Sequence, residues 1–294
     1  MIRKAELDML PRLRRIWQTC FGDNDKATEL VFNHLLGPDQ MLVKTDGNGR
    51  PIAMVNWKLL RFTTPRQTFA GAYLYGIGTL PEHRGKGVST ALMEETRRLL
   101  AGEGVKLACL VPASRELFDF YAARGFETRF HYKKLRLSRA EIPAPAAQGV
   151  LSAAALQDLE ALRNAFFGPR ALFGAWDADY LRYTGRECRF YGGEALLFSS
   201  GGRQGYAVCY PLKDLLLVKE AAILPQDIGV LLAALDARYK AGRYELRLPA
   251  DFETGGGWPT ETLPFAMTTW YDKSNQPGTG LGGAPWFAFG LDGP

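Results

Sequence analysis

YLYGIGTLPEHRGKGVSTALMEETRRLL, from Tyr73 to Leu100, reads as a strand, a tight glycine-bearing loop and an amphipathic helix. Ile77, Thr79 and Leu80 are strand-type residues, and Pro81 ends the ladder because it has no N–H to donate. In Arg84-Gly85-Lys86-Gly87, two glycines two residues apart let the backbone curl so that successive N–H groups point one way, forming an anion-binding nest. The helix that follows puts Val88, Ala91, Leu92 and Leu99 on one face, with Glu94, Arg97 and Arg98 elsewhere. Its unpaired first-turn N–H groups and its dipole reinforce the same site. A phosphate-bearing ligand is the natural occupant.

Outward from this stretch, 294 residues are enough for two ordinary domains. Apolar residues make up 47% and charged residues 23%, a globular balance. The start, MIRKAELDML, lacks the apolar core of a signal peptide, and no apolar run approaches a membrane span, so the expectation is a cytoplasmic protein without a membrane partner. Cys20, Cys109, Cys188 and Cys209 are scattered in apolar contexts without a CxxC pair and read as reduced core residues. Three histidines without ligand spacing argue against a metal. Lys and Arg outnumber Asp and Glu 23 to 15 over residues 1–147, and are outnumbered 13 to 16 over 148–294. The basic half is a solvated surface or a positive field for a polyanionic cofactor. It lacks the basic and aromatic clustering that nucleic acid binding wants.

The pattern along the chain predicts a mixed α/β (α+β) fold. A first strand over residues 1–7 precedes a helix from Leu10 to Cys20 with Pro11 in its first turn, and a second helix, capped by Asp23 or Asp25, runs to Leu36. Met41–Thr45 and Ile52–Phe62 are strands joined by the turn Asp46-Gly47-Asn48-Gly49. A third begins near Thr68. Val105–Val111 is a further strand, Ser114 caps a short helix over Arg115–Arg124, and Phe126–Leu137 returns as a strand. SRAEIPAPAAQG, Ser138 to Gly149, reads as a linker. Helices follow at Ala153–Phe167, Ala178–Arg186 and Ile228–Lys240, with strands at Ala195–Ser199, Tyr206–Tyr210, Leu215–Ile223 and Tyr244–Leu248. TLPEHRG (Thr79–Gly85) is echoed by ILPQDIG (Ile223–Gly229), and LVPAS (Leu110–Ser114) by RLPAD (Arg247–Asp251). The second copy has Asp227 where the first has His83, and lacks the Gly-Lys-Gly loop.

Strand, PEHRGKG, helix, and then a strand and a short helix ending in FYAARGF, resemble the GNAT superfamily of acyl-CoA N-acyltransferases. Both glycines of that family's pyrophosphate loop match as Gly85 and Gly87. Glu82 stands where the family has Gln or Arg, and Arg84 and Lys86 supply the charge. The wider plan is similar to the enhanced intracellular survival group of aminoglycoside acetyltransferases, without that group's sterol-carrier-like domain. The resemblance implies two tandem GNAT-like domains, each a mixed, mostly antiparallel sheet flanked by helices. These are a catalytic, acetyl-CoA-binding domain at 1–137, a linker at 138–150, and a degenerate second domain at 151–294.

It also implies roles. Backbone N–H groups of Ile77, Gly78 and Thr79 hold the thioester carbonyl and pantetheine arm, and Arg84, Gly85, Lys86, Gly87, Val88, Ser89 and Thr90 take the pyrophosphate. Ser114 either contacts the coenzyme or serves as a plain N-cap. Tyr121 protonates the departing thiolate; otherwise it packs against Leu117. The strand Ala70–Leu80 offers no carboxylate as base. His83 beside the loop is one candidate. The tail WFAFGLDGP (Trp286–Pro294), alternating like a buried strand, offers Asp292 and the terminal carboxyl, either of which could reach the inter-domain cleft; otherwise it is a frayed end. Trp176, Tyr180, Tyr183, Trp258, Trp270, Tyr271 and Trp286 in the acidic half would suit a cationic amine, unless they are core. The expectation is acetyl transfer from acetyl-CoA to a primary amine of a small cationic molecule, without metal and by direct attack. A protein or peptide amine is the alternative acceptor, and a non-catalytic CoA sensor the alternative function. A homo-oligomer is compatible with all of these.

Overall fold

The computed structural model of the chain describes every residue except 145–146, 256, 273, 275, 277–281 and 288–294. It forms two compact units, residues 1–61, 69–127 and 267–276 in the first, and 62–68, 128–266 and 277–294 in the second.

In the first unit, β1 (Ile2–Lys4) leads to α1 (Leu10–Phe21) and α2 (Asp25–His34). β2 (Met41–Thr45), β3 (Pro51–Thr63) and β4 (Thr68–Thr79) follow, then α3 (Val88–Gly102), β5 (Leu107–Leu110) and α4 (Arg115–Ala122). Pro11 is the second residue of α1, where a missing N–H costs nothing. α2 is capped by Asn24, whose side chain accepts from the Ala27 N–H at 3.0 Å. The sequence pointed to Asp23 or Asp25 for this cap. Asp23 is instead occupied, accepting the Trp17 indole N–H at 2.7 Å. The buried stripe of α3 is Leu92, Met93, Thr96 and Leu100, rotated from the expected one, and Ala91 is exposed. Thr96 can lie inside because its hydroxyl donates to the Leu92 carbonyl at 2.8 Å. Burying Leu92 and Leu100 fully contributes about 1.5–3 kcal/mol each. These residues pack with Leu74, Ala108, Tyr121 and Phe126 into the core over which α3 and α4 lie.

The second unit repeats this order. β6 (Glu127–Ser138) and β7 (Val150–Ala153) precede α5 (Leu156–Phe167), β8 (Phe173–Ala175) and α6 (Ala178–Phe190). Then come β9 (Glu194–Ser200), β10 (Arg203–Leu212), β11 (Leu215–Ala222), α7 (Ile228–Tyr239), β12 (Arg243–Pro249) and β13 (Thr260–Trp270). Two helices, three antiparallel strands, a 3-10 turn, a helix and a parallel strand recur in both units. The 3-10 turns are Pro81–His83 and Pro225–Asp227, the sites of the echoed LP motifs. The parallel pairs are β4 with β5 and β11 with β12. In the second copy Asp227 is buried and takes two bonds from Arg203, at 2.8 and 2.5 Å, and the turn into α7, Leu224-Pro225-Gln226-Asp227, holds no glycine. Among the described residues no helix stands between β12 and β13, so α4 has no counterpart there.

The units do not divide where the Pro-rich linker suggested. β6 pairs antiparallel with β12 (Ser138↔Arg243 to Tyr132↔Pro249) in the second unit. The first unit instead closes β5 with residues from the far end of the chain, Met267↔Leu110 to Trp270↔Leu107. The sequence assigned no strand to TETLPFAMTTW, because Pro264 breaks the run and its pairing partner lies about 160 residues away. The second unit also encloses a buried ion pair. Glu220, 0% exposed, accepts from Arg163 Nε at 3.0 Å, from the Trp286 indole at 2.9 Å and from the Tyr206 hydroxyl. Among the described residues no helix is long and apolar enough to cross a membrane.

Candidate active site

β4 ends at Thr79, and the 3-10 turn carries the chain to Arg84, which is extended (φ −71°, ψ 162°). Gly85 and Gly87 then sit at φ 72° and 73°, a region where a side chain is strained. A β-carbon on either would meet nothing within 4 Å, so the glycines answer a backbone need and leave the outer side of the loop open. Gly87 is the N-cap of α3 and no side chain caps the helix. The first-turn N–H groups of Val88, Ser89 and Thr90 thus have no side-chain capping partner and form the positive end of the helix dipole. Arg84 and Lys86 are exposed and folded onto the loop, Arg84 Nε donating to Thr79 O at 2.9 Å and Lys86 Nζ to Glu82 O at 2.8 Å. Both keep further N–H donors beside the nest. This donor set fits a pyrophosphate.

The strand leading in is splayed. Among the described residues β4 pairs with β5 from Gly71 to Tyr73, and no β5 partner is found for Leu74 to Thr79. Gly76 lies at φ 60°, a bend within the strand. Near its end β4 rests on α1. The Cys20 thiol donates to Thr79 O at 3.4 Å, and a β-carbon on Gly78 would come within 3.2 Å of its sulfur. Ile77, Gly78 and Thr79 lie beyond the last β4–β5 pair.

Tyr121 is the buried residue of α4, 7% exposed, its ring against Phe120 and Phe126 at centroid distances of 5.2 and 5.9 Å. Burial pushes its phenol up to about 12, with the Arg124 charge opposing. Arg124, which sequence reasoning passed over, links the two halves of the site. Its guanidinium stacks on Phe120 at 3.4 Å and donates to the Phe120 carbonyl at 2.6 Å. Through Nε and Nη2 it also donates to Thr90 Oγ1, at 3.1 and 2.7 Å. The helix with the candidate acid is thereby tied to the first turn of the helix with the nest. The only signal in sequence was its place beside Gly125 at the end of α4.

Ser114 stands at the N-cap position of α4 with extended backbone, but its hydroxyl makes no capping bond. Its hydrogen bond instead holds the exposed Glu116 carboxyl below the ordinary carboxylate range. His83 closes the 3-10 turn beside the loop. Asp292 lies outside the described residues. Of the tail, Trp286 and Phe287 are buried in the second unit, Trp286 bridging parallel to Phe173. Trp176, Tyr180, Tyr183 and Trp286 are core residues, each at most 3% exposed, and so cannot line an acceptor site as they stand. Trp270 and Tyr271 belong to the first unit. All four thiols are free and all are pushed up, chiefly by burial. Among the described residues no three His, Cys, Asp or Glu side chains gather as metal ligands.

Residues 1–129 match a family model described as an acetyltransferase (GNAT) domain. A comparison with curated proteins finds no match. Among solved structures the chain is similar to a GCN5-related N-acetyltransferase from Anabaena variabilis, at 15% identity and a TM-score of 0.75, over 92% of this chain and 73% of that one. It is similar to Eis1 from Mycobacterium abscessus at 16% and 0.72, over 92% and 74%. A probable N-acyltransferase from Enterococcus faecalis gives 14% and 0.75, over 91% and 72%. At these identities the likeness is one of fold, and it runs through both units.

Proposed function

We propose, from the match of residues 1–129 to a family model of an acetyltransferase (GNAT) domain, that the chain transfers acetyl from acetyl-CoA to a primary amine of a small cationic molecule. One observation carries this reading. The uncapped, glycine-turned start of α3 is tied through Thr90 and Arg124 to the helix that bears Tyr121. Phosphate donors and a hydrogen-bond donor for sulfur are thus held in one frame. Repetition of the fold without nest or α4 supports the first unit as catalytic and the second as degenerate.

Acetyl-CoA supplies an activated thioester. Gly85 to Thr90, with Arg84 and Lys86, bind its phosphates, while N–H groups of Ile77, Gly78 and Thr79 stabilise charge growing on the carbonyl oxygen. Ser114, exposed at the N-cap position of α4, is available to the coenzyme in this reading. A phenol at about 12 is a far weaker acid than a model thiol at about 8.5, so complete transfer of the Tyr121 proton to the departing sulfur is uphill. Tyr121 acts in this reading as a hydrogen-bond donor to the sulfur, and the proton shed by the acceptor ammonium completes the balance. Protonated thiols, raised by burial, make poor nucleophiles, which supports direct attack by the amine. The acidic balance of residues 148–294 supports a cationic acceptor.

The test is thiol release from acetyl-CoA in the presence of aminoglycosides, polyamines, amino acids and peptides. Release with small cationic amines is expected. Release with peptides alone would shift the acceptor class, and coenzyme binding without release across the panel would leave a CoA sensor.

A further inference from the structure

Asn56 lies on β3 with 0% exposure, and its Nδ2 donates to the carbonyl oxygen of Gly76 at 3.2 Å. Gly76 is the bent residue of β4, at φ 60°. A β-carbon there would stand 2.7 Å from Asn56 Nδ2 and 2.5 Å from the ring of Trp17, so the bend is gripped by an amide and an indole at once. Trp17 is itself fixed through its bond to Asp23 and its edge contact with Tyr75, 6.4 Å between centroids. The grip falls three residues after Tyr73, the last position at which β4 pairs with β5, and immediately before Ile77. The other half of the amide, Oδ1, is buried without a partner among the described residues. An amide buried half-satisfied is a poor choice for packing alone, and such groups concentrate where a site needs them.

We propose that Asn56 is a positioning residue for acetyl transfer. By holding the Gly76 carbonyl it fixes the bend that turns the N–H groups of Ile77, Gly78 and Thr79 toward the acetyl carbonyl. This rests on the acetyltransferase reading above. The phosphate-binding loop, at the other end of the segment, does not depend on it.

The experiment compares the wild-type chain with Asn56→Ala and Asn56→Asp. The readouts are turnover, coenzyme A affinity by calorimetry, and backbone amide exchange at Ile77–Thr79 in the free protein. Asn56→Ala should bind coenzyme A within about two-fold of wild type while turnover falls about 10- to 100-fold, the loss expected when oxyanion donors are misaimed. Asn56→Asp supplies the reading that a merely structural role would not give. Its carboxyl, buried against a carbonyl, titrates above the ordinary value of about 3.9. Protonated, it donates to Gly76 O; ionised, it repels it. Turnover relative to wild type, and protection at Ile77–Thr79, should therefore recover as pH falls from about 8 to about 5.5. Asp23, Cys20 and Tyr75, the titratable groups around Trp17 and the end of β4, are present in both chains and divide out of that ratio.

Unchanged turnover in folded Asn56→Ala, or an acid-independent ratio in Asn56→Asp, would overturn the proposal. Should Asn56→Ala fail to fold, Asn56→Asp at low pH still decides. A wild-type chain that binds no coenzyme A would defeat the functional reading instead, and amide exchange would still report whether Asn56 sets the bend.

Discussion

A phenol held at about 12 keeps its proton throughout the range in which acetyl transfer would be assayed. Tyr121→Phe should therefore lower turnover by about 10- to 100-fold without changing the shape of the pH–rate profile between about pH 6 and 9, and with coenzyme affinity nearly intact. The same shift has a sign in stability. An unfolded tyrosine titrates near 10, so the stability contributed by neutral, buried Tyr121 is complete below about pH 10 and is lost as pH rises toward about 12. Tyr121→Phe should flatten that alkaline loss in denaturant titrations. Arg124 belongs to the same scale. Arg124→Gln removes both bonds to Thr90 Oγ1 and a charge beside the nest, and should weaken coenzyme A binding about three- to ten-fold in calorimetry. Tyr121 was legible because an aromatic helix closing on Gly-Phe is a motif. Arg124 was not, since its meaning comes from a contact to a residue 34 positions away.

At the scale of elements, the strand, loop and helix from Tyr73 to Leu100 could be read directly, because glycines at positive φ and a proline that stops a ladder are local chemistry. Gly87→Ala forces a β-carbon into the left-handed region and should cost about 1–2 kcal/mol, seen as a lower urea midpoint, with a larger loss of coenzyme binding than of stability. The phase of α3 was misread by one position, since a buried Thr96 satisfied by its own helix carries no apolar signal. The cap of α2 was misread because three capping residues stand in a row, and only the fold commits Asp23 to Trp17 and leaves the cap to Asn24. The splay of β4 was implied by the resemblance. The bend at Gly76 and the amide that grips it were not, as a lone Asn inside an apolar strand looks like a breach of pattern.

At the scale of the whole molecule, duplication was legible through two LP motifs set between strand and helix, but the exchange of strands was not. Nothing local says that Met267 to Trp270 close β5, and a chain ending before Thr260 should leave β5 as an open edge and express as insoluble protein. In the second unit, Glu220→Gln removes the charge that Arg163 needs in a dry interior. It should cost about 3–5 kcal/mol, read as an early unfolding transition of that unit. The central claim is that one repeat binds the coenzyme and the other has lost the means. Calorimetric titration of the intact chain with coenzyme A tests it most directly. The account predicts one site per chain, abolished by Gly87→Trp and unaffected by Asp227→Asn; two sites per chain, no binding, or a site that survives Gly87→Trp would contradict it.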